Sequence, residues 1–381
     1  MKIFKPIKDG AIKALDEIFN QDQHAEKIVE QYLKFNKKWG SRDRKQFAEL
    51  TYNVVRWARL LAEVSESKNV EKWVELYLER GEDLITNRDQ LKLDVTTQES
   101  FSDEFVEILK GDSPQTWQKL LKQMNVTAAI YLRVNTLKTT TQELIHQLKK
   151  EEVDVFEVDK NVVRLKERKN VFVTDAYKKG MFEVQDWGSQ KISEFVAKAT
   201  SLNGVKVIDA CAGAGGKSLH LAAFMKNKGK IISMDIHEWK LNELKKRAAR
   251  AGVDIIETRP IDGTKAIKRL EESADILLLD VPCTGTGVIR RKPDTKWKFS
   301  KGQLVTCLSI QEEILNTYPK MLKKGGLLVY ATCSLFKSEN AEQVQRFLER
   351  FDGQFFLEEE MHVSPTEIDC DGFYAARIIK K

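Results

Sequence analysis

The chain reads as an α/β protein: a mostly parallel, doubly wound, Rossmann-like sheet preceded by a small α+β module and an all-helical amino-terminal region. Three observations predict this. After about residue 190, apolar runs of strand length alternate strictly with helix-length amphipathic segments, the pattern of a parallel sheet with helices on both faces. Between about 114 and 190 the apolar runs are short and β-rich. Before that, apolar residues recur at helical spacing. The expected division is 1–113, 114–190 and 191–381.

In the first region Phe47, Leu50, Val54, Trp57 and Leu61 share one helical face, and Ile12 through Leu33 carries similar spacing, as in a small helical bundle. In the second, Ala129–Val134 reads as a strand, and Thr140 with Glu143 forms a capping box that starts a helix at Leu144–Lys150. Strands are expected at Val153–Val158, Val162–Leu165 and Met181–Val184. In the third, strands fit Val205–Asp209, Lys230–Asp235, Ile255–Thr258, Ile276–Asp280 and Leu327–Ala331, with helices at 217–226, 238–251, 263–270 and 303–322. Gln354–Leu357 and Phe373–Ile379 are candidates for two further strands.

Composition narrows the function classes. A chain that is 42% hydrophobic and 31% charged suits a globular fold rather than a disordered one. No run of about 18 apolar residues is present, which excludes a spanning helix. The first nine residues alternate charge with apolar groups and lack a signal peptide's apolar core. Five cysteines with no Cys-x-x-Cys pair argue against a metal site and for reduced thiols in the cytoplasm. A net charge of +6 permits a nucleic-acid partner without establishing one.

Two cysteines end apolar runs that read as neighbouring strands. Asp275–Asp280 breaks into Val281-Pro-Cys-Thr-Gly-Thr-Gly287, and Gly326–Ala331 breaks into Thr332-Cys-Ser334. Ligands of open α/β sheets bind where strands give way to loops at their carboxyl ends, so Cys283 and Cys333 are placed to reach one substrate. The first strand runs into Asp209-Ala-Cys-Ala-Gly-Ala-Gly-Gly-Lys-Ser218. Cys211 stands where a phosphate-binding P-loop needs glycine, and Ser218 where a dinucleotide fingerprint needs glycine or alanine. What remains is a nucleoside loop, Cys211, Ala212, Gly213, Ala214, Gly215, Gly216 and Lys217, with Asp235, Asp262 and Asp280 at three successive strand ends. Each aspartate alone reads as a cap or turn residue. Together with the loop they suit a cationic, ribose-bearing cofactor such as S-adenosylmethionine, with Asp235 on the ribose hydroxyls.

These stretches, with Ser338-Glu-Asn340, Asp371-Gly-Phe-Tyr-Ala-Ala-Arg377, Leu132-Arg-Val-Asn-Thr136 and Val184-Gln-Asp-Trp-Gly-Ser-Gln190, resemble bacterial RNA 5-methylcytosine methyltransferases of the Sun/RsmB group over roughly residues 125–381. Ser41–Trp57 is similar to the helical NusB-like RNA-binding domain of the RsmB-type enzymes. The loop departs from the family's usual Ala-Pro-Gly-Gly-Lys at Gly213-Ala214, which loosens it without removing a donor. The resemblance implies a class I methyltransferase sheet, an RRM-like middle module, S-adenosylmethionine as cofactor and 16S rRNA as partner, with no membrane or metal and a monomeric chain. It assigns attack on the base to Cys333 and product release to Cys283; the position of Asp280 alone suggests that it holds the pyrimidine edge. The residues alone leave the two thiols unranked, because in DNA cytosine methyltransferases the Pro-Cys dipeptide carries the nucleophile.

For the RNA, residues 286–301 hold six basic side chains and one acid. Arg290, Arg291 and Lys292 are expected on phosphates and Trp297 or Phe299 on a base. The resemblance adds Arg133 and Asn135. Alternatives are a tRNA substrate, a non-catalytic RNA-binding assembly factor, and a small-molecule or protein methyltransferase, which would not need two thiols.

Overall fold

In the computed structural model, which describes residues 3–381, the chain divides into two compact units, Met1–Thr127 with Val288–Gln303, and Ala128–Gly287 with Leu304–Lys381. Met1 and Lys2, where the stretch read for a leader begins, lie outside the described residues. No helix among the described residues is long and apolar enough to cross a membrane.

The first unit is helical, and its helices run through Trp117–Asn125, past the boundary expected at 113. The predicted helical faces are present but interrupted. Ile12–Leu33 splits into helices Lys5–Asn20 and Ala25–Phe35 because Asp22 adopts a left-handed conformation between them. The Phe47–Leu61 stripe divides at Trp57 into helices Ser41–Arg56 and Ala58–Val64. Ile7, Leu15, Phe47, Leu50, Val54, Leu61 and Val74 form the core.

The second unit holds two sheets. The smaller consists of β1 (Tyr131–Val134), β2 (Val155–Asp159), β3 (Val162–Leu165) and β4 (Phe182–Val184), antiparallel in the order β2-β3-β1-β4. The Thr140 capping box forms as expected: Thr140 Oγ1 accepts from Glu143 N at 3.3 Å, and Thr140 N donates to Glu143 Oε2 at 2.9 Å. The helix it starts, Thr141–Lys150, buries Leu144 and Leu148 against Leu132, Val163 and Phe182.

The larger sheet comprises β5 (Lys206–Asp209), β6 (Lys230–Asp235), β7 (Ile256–Pro260), β8 (Ala274–Asp280), β9 (Leu322–Thr332), β10 (Phe355–Val363) and β11 (Phe373–Lys380). Their order is β10-β11-β9-β8-β5-β6-β7. β5 to β9 pair in parallel, and the two tail strands add as an antiparallel edge. Ile208, Ile232, Leu277, Leu279, Leu328 and Tyr330 are buried, which explains why these strands read as unbroken apolar runs. Chain order reverses between β5 and β8, the switch point at which such sheets open a ligand crevice. Asp280 of β8 pairs with Ala331 of β9, so the loops bearing Cys283 and Cys333 leave the sheet at one level.

Candidate active site

The two thiols meet. Cys283 Sγ and Cys333 Sγ lie 3.3 Å apart, and both residues are half-buried rather than sealed. Their loops are zipped together. Gly287 N donates to Cys333 O at 2.8 Å, and Leu335 N donates to Thr286 Oγ1 at 2.9 Å. A Cβ on Gly287 would sit 2.2 Å from Gly372 O and 2.8 Å from Cys333 O, so only glycine permits this approach. The hydrogen bond with Cys333, burial and the nearby Glu339 charge raise the Cys283 thiol well above its ordinary value.

Next to the thiols stands an ion pair from the glycine loop. Lys217 Nζ bonds Asp280 Oδ2 at 2.6 Å, and the ammonium lies 5.6 Å from the Phe373 ring centre. Burial works against the Lys217 charge, but attraction to Asp280 and their hydrogen bond outweigh it; Cys333 adds to that attraction, and Lys217 is raised overall.

The glycine loop turns sharply at Gly215, with φ of +81°, where a Cβ would lie 2.3 Å from the Leu244 side chain. Asp235 holds the loop from β6: Oδ2 accepts from Gly213 N at 2.9 Å and Oδ1 from His237 N at 2.8 Å. Asp209 is buried beneath it, accepts from Ser218 Oγ at 2.6 Å, and is pushed up by burial to about 7. A cavity of about 430 Å³ opens here, lined among others by Cys211, Asp235, Ile236, Ile261, Pro282 and Tyr318. These residues fit S-adenosylmethionine. Each Asp235 oxygen retains a lone-pair direction for a ribose hydroxyl, and the apolar side chains suit the faces of a flat base. Burial raises the Cys211 thiol well above its ordinary value, so it lines the cavity uncharged. Asp262 is exposed beyond β7 and is not among the lining residues.

Several residues expected at the RNA are buried or bonded within the protein. Arg133, 3% exposed, donates to Gly216 O at 2.7 Å and Gln185 Oε1 at 2.8 Å, bracing the glycine loop from the small module. Arg247, on the helix Glu238–Ala251, also braces the loop, at Ala214 O at 2.7 Å, while paired with Glu183 of β4. Asn135 is buried and bonds Gly180 O and Ala251 O, both at 2.8 Å. Residues Val288–Gln303 are part of the helical unit rather than a free basic loop. Arg290 is 1% exposed and its Nε donates to Val126 O at 3.3 Å; Trp297 Nε1 donates to Val55 O at 2.7 Å. Phe299 packs edge-on to Phe105. Lys296 is fully buried, its ammonium donating to Arg56 O at 2.9 Å, to Ser100 O at 3.2 Å and to Asn125 Oδ1. Six side chains read as one cationic surface are thus divided between core and surface. Arg291 stays half-buried, and Lys292 is exposed beside Glu26 at 2.8 Å.

Sequence reasoning gave no role to Glu339, which ties the two cysteine loops together, to Asn340, which holds the Cys333 loop, or to Tyr318 on the cavity wall. Ser338-Glu-Asn340 was visible as a motif; nothing local marked Tyr318, which follows a helix far along the chain.

The profile of the 16S rRNA methyltransferase RsmB/F family matches residues 199–379, and that of the RsmF/B-like ferredoxin-like domain matches residues 103–172. Residues 103–172 and 199–379 thus both match domains of RsmB/F-type methyltransferases. It is 34% identical over 268 residues to the probable ribosomal RNA small subunit methyltransferase B of Bacillus subtilis, covering 66% of this chain and 59% of that protein. The chain therefore spans about three fifths of the length of this RsmB relative. Its fold resembles the crystal structure of PH0851, with a TM-score of 0.81, 24% identity and full coverage of both chains. It also resembles a methyltransferase homologue from Pyrococcus horikoshii, with a TM-score of 0.65 and 26% identity over 76% of this chain and 98% of that one.

Proposed function

We propose that the chain methylates carbon-5 of a specific cytosine in RNA, with small-subunit rRNA in the cytoplasm as substrate and S-adenosylmethionine as methyl donor. The observation that carries this reading is the pair of thiols 3.3 Å apart, at adjacent strand ends beside the Lys217–Asp280 ion pair. Cytosine carbon-5 is a poor nucleophile. A Cys333 thiolate adding to carbon-6 turns the ring into an enamine that is electron-rich at carbon-5. Lys217, whose charge interacts with Cys333 as well as Asp280, supplies a cation for that thiolate.

S-adenosylmethionine, when bound, supplies an electrophilic methyl group. Once carbon-5 carries the methyl, Cys283 takes the remaining carbon-5 proton, the ring double bond re-forms and the Cys333 sulfur leaves. The surroundings raise the Cys283 thiol, so it first releases its own proton to solvent, and the thiolate left behind is a strong acceptor for the carbon-5 proton. Asp280 faces the pyrimidine edge, and the base must be unstacked because attack comes from above the ring. The relatives' naming as small-subunit rRNA enzymes supports rRNA over tRNA.

Incubation with labelled S-adenosylmethionine and total RNA, with and without ribonuclease, tests this. Label in 16S rRNA at one bisulfite-protected cytosine is expected. Label in protein, in a small molecule or nowhere contradicts the reading, and label confined to tRNA moves the substrate.

A further inference from the structure

One buried carboxylate joins both cysteine loops. Glu339, on the turn Lys337–Glu339 that follows β9, is 0% exposed. Its Oε1 accepts from Thr284 N at 2.9 Å and Gln311 Nε2 at 3.0 Å. Its Oε2 accepts from the hydroxyls of Thr284 and Ser334. Thr284 follows Cys283 and Ser334 follows Cys333. The next residue completes the clamp: Asn340 accepts from the Thr332 hydroxyl and donates to Ser334 O at 3.0 Å, holding the residues on either side of Cys333.

A buried carboxylate is costly unless its lone pairs are filled, and four donors fill these. Hydrophobic packing could have closed the space without that cost. An acceptor-only group does something apolar packing cannot: it fixes the direction of four donors from three separate segments at once. Three of those donors belong to Thr284 and Ser334, each one residue from a sulfur.

We propose that Glu339 is a positioning residue that sets the separation and register of Cys283 and Cys333. This rests on the two-thiol reading of the site, because the value of the register is that one sulfur can hold the base while the other reaches its carbon-5 proton. Glutamine at this position keeps the shape but turns one acceptor into a donor facing two hydroxyls. Both hydroxyls must then reverse to accept, and the loops exchange a charged anchor for a weaker neutral one while the sheet beneath them is untouched.

The test compares wild type with Glu339→Gln in two assays. In the first, diamide oxidises the thiols without RNA or cofactor. One thiolate adds to the diazene, the second displaces it, and the hydrazine carries away both protons and both electrons. Mass spectrometry follows the Cys283–Cys333 disulfide, which forms readily in wild type and roughly tenfold more slowly in the variant. In the second, kcat for methylation falls roughly 10²-fold, while KM for RNA stays within about threefold. Cross-linking at the wild-type rate, or an unchanged kcat, overturns the proposal. So does a lower Tm with both rates unchanged in the folded fraction, which marks a merely structural carboxylate. If Glu339→Gln does not fold, Thr284→Val removes one hydroxyl from the clamp. It should slow cross-linking in the same direction, and a wild-type rate there overturns the proposal. The first assay needs no RNA, so an inactive wild type with the expected cross-linking contrast sinks the methylation reading alone.

Discussion

The two cysteine loops and the segment Val288–Gln303 carry the most conspicuous chemistry in the sequence, and the fold treats them in opposite ways. Cys283 and Cys333, 50 residues apart, converge to 3.3 Å with access to solvent. Arg290, Lys296 and Trp297, crowded into eight residues, turn inward and satisfy backbone carbonyls. A reactive group at the end of a parallel strand is placed by the sheet, whose register leaves few positions for it. A run of basic residues is placed by whatever packs against it. Long cationic side chains have enough reach and enough donors to serve as struts inside a helical core. Motif chemistry at strand ends therefore predicts where side chains converge far better than charge density does.

The comparison can be broken most forcefully at Cys333. Cys333→Ala should abolish methylation, a loss of roughly 10³-fold or more, with Tm close to wild type. Residual activity within tenfold of wild type would place the chemistry elsewhere. On the other side, Lys296→Met removes a buried donor from Arg56 O, Ser100 O and the Asn125 amide oxygen. Melting should show a loss of about 1–3 kcal/mol. A phosphate-gripping lysine would instead leave stability intact and weaken RNA binding.

A smaller effect tests whether every charge at the strand ends is functional. Burial raises Asp209 to about 7 in the native state, from 3.8. Between those values the native chain keeps a proton that the unfolded chain has released, so stability falls as pH rises from about 4 through 7, and the cost is fully present above that. Asp209→Asn removes this dependence. Wild-type Tm should drop more than the variant's between pH 5 and pH 8, and parallel curves would contradict the assignment. Smallest is Lys292→Ala. Its pair with Glu26 is largely exposed, so stability should change by under about 0.5 kcal/mol. RNA affinity should weaken slightly and its salt slope fall by about one, and an unchanged slope would remove Lys292 from the RNA surface.

Much of the fold was legible because its signals are local. The central strands are continuous apolar runs, and the Thr140 box is a contiguous pattern that forms as written. Boundaries were less so: nothing in composition shows that Trp117–Asn125 closes a helical unit instead of opening the next module. At the site, Cys283, Cys333, Lys217 and Asp280 sit beside glycine turns and strand ends that announce them. Arg133 and Asn135 entered only through the resemblance, and their inward orientation depends on carbonyls at Gly216 and Ala251 that no spacing reveals. Glu339 was hidden for the same reason, since its donors come from Thr284, Gln311 and Ser334.

Denaturing electrophoresis of the Cys283→Ala protein after incubation with substrate RNA and S-adenosylmethionine goes most directly to the division of labour between the thiols. A protein–RNA band that survives denaturant should accumulate with this variant and be absent from the Cys333→Ala protein. A band trapped by Cys333→Ala and missing from Cys283→Ala would reverse the two roles.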